Sequence, residues 1–212
     1  MYHQPVNPVA AFVVAGGKST RMGADKAFLE LGGQTLLARA LALSASVCGE
    51  VRIAGDRQRF FSFARVVEDI YPGRGPLAAI QAALVAGIAQ LNLMLAVDLP
   101  FMEPRFLSYL LAESSRTGAL VTVPRIGGKW QPLCAVYRPE FSALAEESLR
   151  KRKNRVDALF ERTETRIIGD QEFTHAGFSP LIFRNLNTPE EWERAKLEFD
   201  SPGLQSRRSI RR

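Results

Sequence analysis

Two cationic side chains follow a pair of glycines near the start of the chain. Gly16 and Gly17 end an apolar run, and Arg21 and Lys26 follow at short range. Glycine lets backbone N–H groups approach an anion because no Cβ stands in the way. Arg and Lys are the side chains best suited to phosphate oxygens. The spacing therefore predicts a turn that binds phosphate groups.

An apolar strand must position this turn. Residues 9–15 read VAAFVVA, a short and uninterrupted run that is typical of a strand buried on both faces of a parallel sheet.

Two familiar phosphate-binding motifs are excluded at this turn. Phe12 stands where a Walker A loop would need its first glycine, and Lys18 and Ser19 stand where a dinucleotide-binding fingerprint would need its second. The turn is therefore neither a P-loop nor a classical dinucleotide site.

A second apolar strand is predicted at residues 92–97, and Asp98 follows it directly. Ligands of open α/β sheets bind outside the carboxyl ends of the strands. A carboxylate there, beside a triphosphate, is suited to Mg²⁺, which takes one or two carboxylates plus phosphate oxygens and water. The alternative is that Asp98 caps a helix beginning near Pro100.

Residues 69–80 form a Pro/Gly-rich loop that runs into an Ala- and Leu-rich helix, predicted from Pro76 to about Leu91. Proline is favoured at the first position of a helix because its missing N–H would be unpaired there. The amino end of the helix leaves free N–H groups and the positive end of its dipole facing the space above the sheet. This loop is a second candidate for contact with an anionic ligand.

Strands and helices alternate along the rest of the chain. This order predicts an α/β fold with one domain at residues 1–206, a doubly wound, mostly parallel sheet with helices on both faces, and a basic, disordered tail at residues 207–212. Further strands are expected at residues 51–55, 64–67, 119–123, 131–137 and 165–168, with a short extended segment at 27–31. Further helices are expected after Thr35, at 104–117, at 141–151 and after Thr188.

Charge and composition limit the function classes. The net charge is +6, but the four arginines of residues 207–212 leave the rest of the chain at only +2, so a nucleic-acid partner is not expected. With 46% hydrophobic and 24% charged residues the chain is typical of a globular protein. No apolar run has membrane-spanning length and the first residues do not resemble a signal peptide, which predicts a cytoplasmic protein without a membrane partner.

The sulfur and imidazole side chains are isolated. Cys48 and Cys134 lack CxxC spacing, and neither His3 nor His175 has a second histidine at metal-ligand spacing. We therefore expect two core thiols and no zinc site.

Several motifs together resemble one family. The segment AGGKSTRMGADK (residues 15–26), the loop DIYPGRGPLAAI (69–80) and the tetrapeptide DLPF (98–101) occur in the order found in the molybdenum cofactor guanylyltransferases, the MobA family of the nucleotidyltransferase superfamily. QPL at 131–133 and NLNTPEE at 185–191 extend the resemblance over most of the chain.

The resemblance implies the roles of individual residues. Arg21, Lys26 and Asp98 would be catalytic, with Asp98 holding Mg²⁺; Gln131 and Asn187 would contact the acceptor. The nucleotide would be bound by these residues: Ala15, Gly16, Gly17, Arg21, Lys26, Asp69 and Asp98.

The resemblance also implies a reaction. The protein would transfer GMP from GTP to molybdenum-bearing molybdopterin and release pyrophosphate, with contacts to cofactor-insertion chaperones as further partners. Guanylyl members resemble this chain in having Ala-Gly-Gly at the turn, whereas cytidylyl relatives look like Ala-Ala-Gly, so Gly16 is expected to make room for a purine or to adopt a backbone conformation reserved for glycine.

Two positions depart from the family pattern. Ala54 replaces a polar residue, commonly Asn, and Ala79 replaces a glycine. Three alternatives stay open from the sequence: a cytidylyltransferase acting on molybdopterin, a guanylyltransferase acting on cobinamide phosphate, and a catalytically silent nucleotide-binding protein.

Overall fold

A computed structural model describes residues 8–16, 25–87, 89–186 and 188–200. Its strands are β1 (Val9–Val14), β2 (Glu30–Leu31), β3 (Gln34–Thr35), β4 (Glu50–Ala54), β5 (Val66–Val67), β6 (Leu91–Ala96), β7 (Val121–Ile126), β8 (Lys129–Trp130), β9 (Cys134–Tyr137) and β10 (Thr165–Gly169). Its α-helices are α1 (Leu36–Ala45), α2 (Arg57–Phe60), α3 (Pro76–Val85), α4 (Pro104–Thr117), α5 (Phe141–Arg150), α6 (Asp157–Phe160), α7 (Asp170–His175) and α8 (Pro189–Asp200).

The predicted first strand, β1, lies in the interior of the main sheet, whose order is β10-β7-β9-β6-β1-β4-β5 with β8 paired to β7. β1 pairs in parallel with both β4 and β6. In this register Val14 lies opposite both Ala54 and Ala96, so three strands end side by side. The residues that follow these strands must therefore share one edge of the sheet.

Helices cover both faces of the sheet, as predicted. Alternate residues of β1 point to opposite sides because side chains alternate along a strand: Ala11 and Val13 join a core with α1 and α4, whereas Ala10 and Phe12 join a core with α3 and α5. The expectation of a mostly parallel α/β sheet between two helical layers is confirmed.

One predicted strand is shorter than expected and runs antiparallel to its neighbours. Residues 131–137 were expected as one strand, but β9 begins only at Cys134 and is antiparallel to both β6 and β7. The Cys134 N–H donates to the Gln131 carbonyl at 3.0 Å, which forms a turn around Pro132, a residue with no N–H for a ladder. Gln131 therefore lies in the loop before β9.

Two further element predictions are corrected. The helix expected to reach about Leu91 ends at Val85, because Gly87 has a positive φ of 62° and its N–H closes a turn on Leu84. Residues 27–31 were expected to be extended, but Lys26–Phe28 form a 3₁₀ turn in which the Asp25 carboxylate accepts the Ala27 N–H.

Helix α8 packs against the segment that follows this turn. Leu186, Trp192 and Phe199 form a separate apolar cluster with Leu31 and Leu36. Thr188 caps the helix as predicted: its Oγ1 accepts the Glu191 N–H at 3.2 Å, and a Glu191 carboxylate oxygen accepts the Thr188 N–H at 3.1 Å. In the described part of the chain, no helix combines the length and apolar character needed to cross a membrane.

Candidate nucleotide-binding site

Backbone hydrogen bonds extend the sheet past the end of β1. The Ala15 N–H donates to the Ala54 carbonyl at 3.0 Å, and the Val97 N–H donates to the Val14 carbonyl at 3.2 Å. Ala15 is buried, whereas Gly16 is exposed. The first glycine of the predicted phosphate turn therefore leaves the sheet at its carboxyl edge, beside the residues that follow β6.

Lys26 and Asp98 meet at this edge. The Lys26 Nζ atom lies 3.7 Å from an oxygen of the Asp98 carboxylate, and their side chains are 18% and 24% exposed. Lys26 begins the 3₁₀ turn, and Asp98 lies in the turn directly after β6. The structure thus brings together two predicted catalytic residues that are 72 positions apart in the sequence. A partly buried cation and carboxylate in contact are suited to a site that binds both a metal ion and phosphate.

The alternative role of Asp98 as a helix cap is wrong. The next helix, α4, begins at Pro104 and its N-cap residue is Glu103. Asp98 precedes that cap by five positions, so its carboxylate is left for the Lys26 contact and for a ligand.

Asp69 follows β5 and is half-buried. Burial raises the pKa of its carboxyl group above the ordinary value of 3.8, and no neighbouring charge contributes to that shift. Within the described ranges the carboxylate has no hydrogen bond or ion pair with the protein. An acceptor that is partly removed from water and has no protein partner is a candidate for binding ligand N–H or O–H groups.

Replacing Asp69 with Asn should separate stability from function. A carboxyl group whose folded pKa is raised destabilises the folded protein at pH values where it is ionised, and the folded state gains stability as the pH falls through the raised pKa. Asn has the same shape without the charge, so Asp69→Asn should raise the melting temperature at pH 7 while it weakens GTP use. Thermal unfolding and steady-state kinetics on one preparation measure both effects; a lower melting temperature would contradict this reading of the carboxylate.

The loop after Asp69 leads directly into helix α3. Gly73 and Gly75 have positive φ angles of 74° and 71°, which only glycine adopts readily. Pro76 is the first residue of α3, and Gly75 provides no side-chain cap. Pro76 has no N–H and the Ala78 N–H donates to the Gly75 carbonyl at 3.0 Å, which leaves the Leu77 N–H of the first turn available to an anion.

Gly16 has space around it on the protein side. A Cβ atom built at this position would meet no atom of the described residues within 4 Å, and the φ angle is outside the left-handed region. The hypothesis that Gly16 needs a backbone conformation reserved for glycine is therefore wrong. The hypothesis that Gly16 makes room for a purine stays a prediction.

Gly16→Ala is accordingly expected to leave the melting temperature unchanged. It should lower kcat/KM for GTP about tenfold more than for CTP if the base approaches this backbone, a methyl-sized clash being worth about 1–3 kcal/mol. Rates for both nucleotides with both proteins provide the measurement. Equal losses for GTP and CTP would place base selection elsewhere.

The two departures from the family pattern lie next to each other. Ala54 and Ala79 are buried and pack with Val14 in one small apolar cluster at the ends of β4 and β1. No polar side chain from β4 is therefore available there for a base or ribose.

Gln131 lies beside a cavity of about 500 Å³. Pro76, at the start of α3, forms part of its wall, together with Lys129, Trp130, Pro132 and Arg155. Gln131 is half-buried between Trp130 and Pro132. The cavity thus lies between the start of α3 and both sequence neighbours of Gln131, although Gln131 itself is not part of the wall.

Some sequence predictions lie outside the described residues. These are Gly17, Arg21 and Asn187, together with the tail at 207–212. Sequence spacing alone does not predict that Lys129, Trp130 and Arg155 line a common cavity. The turn of Gly127 and Gly128 directly before Lys129 and Trp130 was the available signal, since it folds β8 back onto β7.

Solved structures of other proteins share the fold of this chain. The chain superimposes with a TM-score of 0.78 on a protein from Archaeoglobus fulgidus titled molybdopterin-guanine dinucleotide biosynthesis protein A, at 22% identity over 89% of this chain and 97% of that one. It superimposes with a TM-score of 0.69 on the 4-diphosphocytidyl-2C-methyl-D-erythritol synthase of Anaerococcus prevotii, at 14% identity over 92% and 97%. The fold is that of the nucleotidyltransferases.

Sequence comparison identifies the family of this chain. The model of the MobA-like NTP transferase domain matches residues 11–166. A protein of Pelotomaculum thermopropionicum, named probable molybdenum cofactor guanylyltransferase, is 34% identical over 87% of this chain and 90% of its own length. A protein of the same name from Carboxydothermus hydrogenoformans is 31% identical over 86% and 92%. The chain belongs to the MobA-like NTP transferase family, and the predicted family is confirmed.

Proposed function

We propose that this protein transfers GMP from GTP to molybdenum-bearing molybdopterin, forming the guanine dinucleotide form of the cofactor and pyrophosphate. The observation that carries the proposal is the contact between Lys26 and Asp98 at the shared end of β1 and β6, in a chain of this family. The terminal phosphate of the acceptor attacks the α-phosphorus of GTP, the new P–O bond replaces the bond to the β-phosphate oxygen, and pyrophosphate leaves.

A divalent metal ion fits this site only with help from the substrate. Nucleotidyltransferases of this kind typically use such an ion. Among the described residues, no group of three or more His, Cys, Asp or Glu side chains could hold a metal ion alone. Mg²⁺ commonly binds through one or two carboxylates plus phosphate oxygens and water. Asp98 would hold Mg²⁺ in this way, and the bound ion would neutralise charge on the triphosphate.

The protein residues would contribute charge and alignment. No protein nucleophile is needed, because the acceptor phosphate itself attacks. Lys26 would stabilise the negative charge that develops on the phosphate oxygens, and Arg21 is assigned the same role from the sequence. Ala15, Gly16 and Gly17 would approach the nucleotide with their backbone, and Asp69 would accept hydrogen bonds from the nucleoside.

The acceptor would lie on the side of the cavity next to Gln131. Lys129 and Arg155 line this cavity as cations suited to a phosphate, and Arg155 also pairs with the Asp157 carboxylate in the same wall. Trp130 offers an aromatic face for a ring system. Asn187 is assigned to the same acceptor from the sequence resemblance. Contacts with insertion chaperones remain a prediction from the resemblance, and a cytoplasmic location remains a prediction from the apolar pattern of the sequence.

Pyrophosphate release tests the proposal against the silent nucleotide-binding alternative. The protein is incubated with GTP and Mg²⁺, with and without molybdenum-bearing molybdopterin, and pyrophosphate is measured. We expect release only when nucleotide, metal ion and acceptor are all present. Release with cobinamide phosphate but not with molybdopterin would favour that alternative acceptor. GTP binding without release under any condition would identify a silent binder.

A further inference from the structure

The one-turn helix α2 is held firmly beside the site. Phe60 is fully buried in the core on one side of β1. The Asp56 carboxylate caps the helix by accepting the Gln58 N–H at 2.8 Å. Arg57 donates from both its backbone N–H and its side chain to Glu68, each at 3.3 Å. Side chains of α2 therefore start from a fixed backbone position.

Arg59 extends from this helix to the segment that contains Lys26. Its guanidinium group packs over the Phe60 ring, 4.8 Å from the ring centre, and forms an ion pair with Asp25. Arg59 and Asp25 are 36% and 28% exposed. The ion pair therefore joins two partly shielded groups.

Asp25 uses its two carboxylate oxygens for different tasks. One accepts from Arg59, and the other accepts the Ala27 N–H at 3.2 Å and so caps the 3₁₀ turn that begins at Lys26. Phe28, at the end of this turn, packs against Phe60 with 5.8 Å between ring centres. Helix α2 thus holds both ends of the turn, by an ion pair before Lys26 and by ring packing after it.

We propose that Arg59 is a positioning residue for Lys26 in the nucleotidyl transfer reaction. Its guanidinium group fixes Asp25, Asp25 fixes the 3₁₀ turn, and the turn directs the Lys26 ammonium group to the Asp98 side of the site. Arg59 acts through Asp25 and not by contact with phosphate. The inference rests on the proposed function, because it assigns a role within that reaction.

The expected effect of losing Arg59 is moderate. Lys26 keeps its charge and stays near the triphosphate, so GTP binding should change by less than about twofold. Its alignment with the reacting phosphorus is lost in part, and kcat should fall roughly three- to tenfold, in the range expected for one partly exposed ion pair that acts through geometry. Arg59→Lys, which keeps the ion pair with a point charge, should recover part of the loss.

Arg57→Ala is the matched control. Arg57 is on the same helix and also pairs with a carboxylate, but its partner is Glu68 and not Asp25. This variant keeps the backbone N–H donation to Glu68, the Asp56 cap and the buried Phe60, so α2 stays in place and kcat should be that of the wild type. If α2 were only a structural support, Arg57→Ala and Arg59→Ala would lower the melting temperature and leave the activity per folded molecule unchanged, which would overturn the proposal.

A double-mutant cycle with Lys26→Ala gives the decisive test. When Lys26 is absent, Arg59 has no ammonium group to position, so adding Arg59→Ala should change kcat by less than about twofold. The same three- to tenfold loss in both backgrounds would mean that Arg59 contacts the phosphates itself. Wild-type kcat for Arg59→Ala alone would mean that Arg59 has no role in the reaction. Either result overturns the inference. A wild-type protein that releases no pyrophosphate with any acceptor would instead refute the proposed function.

Discussion

Asp98→Asn is expected to abolish most turnover, by about 10²-fold or more, in a protein that folds normally. Asn preserves the size and shape of the side chain but removes the charge that would hold the divalent ion. The Asp98 side chain is partly exposed and packs no core, so thermal stability should change little. Lys26 loses the contact with a charged carboxylate at Asp98 in this variant but retains the ammonium group for phosphate.

Activity is measured at limiting and at saturating Mg²⁺, and a higher concentration should recover part of the lost rate. Glu140→Gln is a suitable control, because Glu140 is an exposed carboxylate beyond the end of β9, at the opposite edge of the sheet. Wild-type activity of Asp98→Asn at limiting Mg²⁺ would refute the metal assignment.

Lys26→Ala is expected to lower the rate by about 10²-fold, the loss typical of one positioned charge at a centre of developing negative charge. Lys26 is only partly buried, so the folded state should persist. Arg21→Ala is expected to have the same effect on the basis of the sequence, although Arg21 is outside the described residues.

Lys196→Ala provides the control for removal of a lysine. Lys196 pairs with Glu193 on α8 at 2.9 Å and its side chain is 43% exposed. This variant should be fully active. If Lys26→Ala instead unfolded at ordinary temperature, with normal specific activity in its folded fraction, the role of Lys26 would be structural.

The buried strands could be predicted from the sequence, because they depend on continuous apolar runs. β1 and β6 are buried almost throughout, and their composition predicted this. Because parallel strands end at the same edge, the positions of Gly16 and Asp98 directly after two apolar runs were enough to predict that they lie near each other. Thr35 and Thr188 were recognised as helix caps because capping depends on local residue types.

Features that depend on distant partners could not be predicted in this way. The antiparallel direction of β9 depends on its two neighbours, β6 and β7, and residues 134–137 contain no signal of direction. The 3₁₀ turn at Lys26 depends on Asp25, whose second partner Arg59 is 34 positions away. Ion pairs between distant segments depend on the assembled fold, so sequence spacing does not reveal them.

The product formed from mixed nucleotides tests the central claim most directly. The full-length protein is incubated with molybdenum-bearing molybdopterin, Mg²⁺ and equal concentrations of GTP, CTP and ATP, and the dinucleotide is identified by its mass. The account predicts the guanine dinucleotide as the main product and its near-complete loss with Asp98→Asn. A cytosine dinucleotide as the main product, or an undiminished yield with Asp98→Asn, would contradict it.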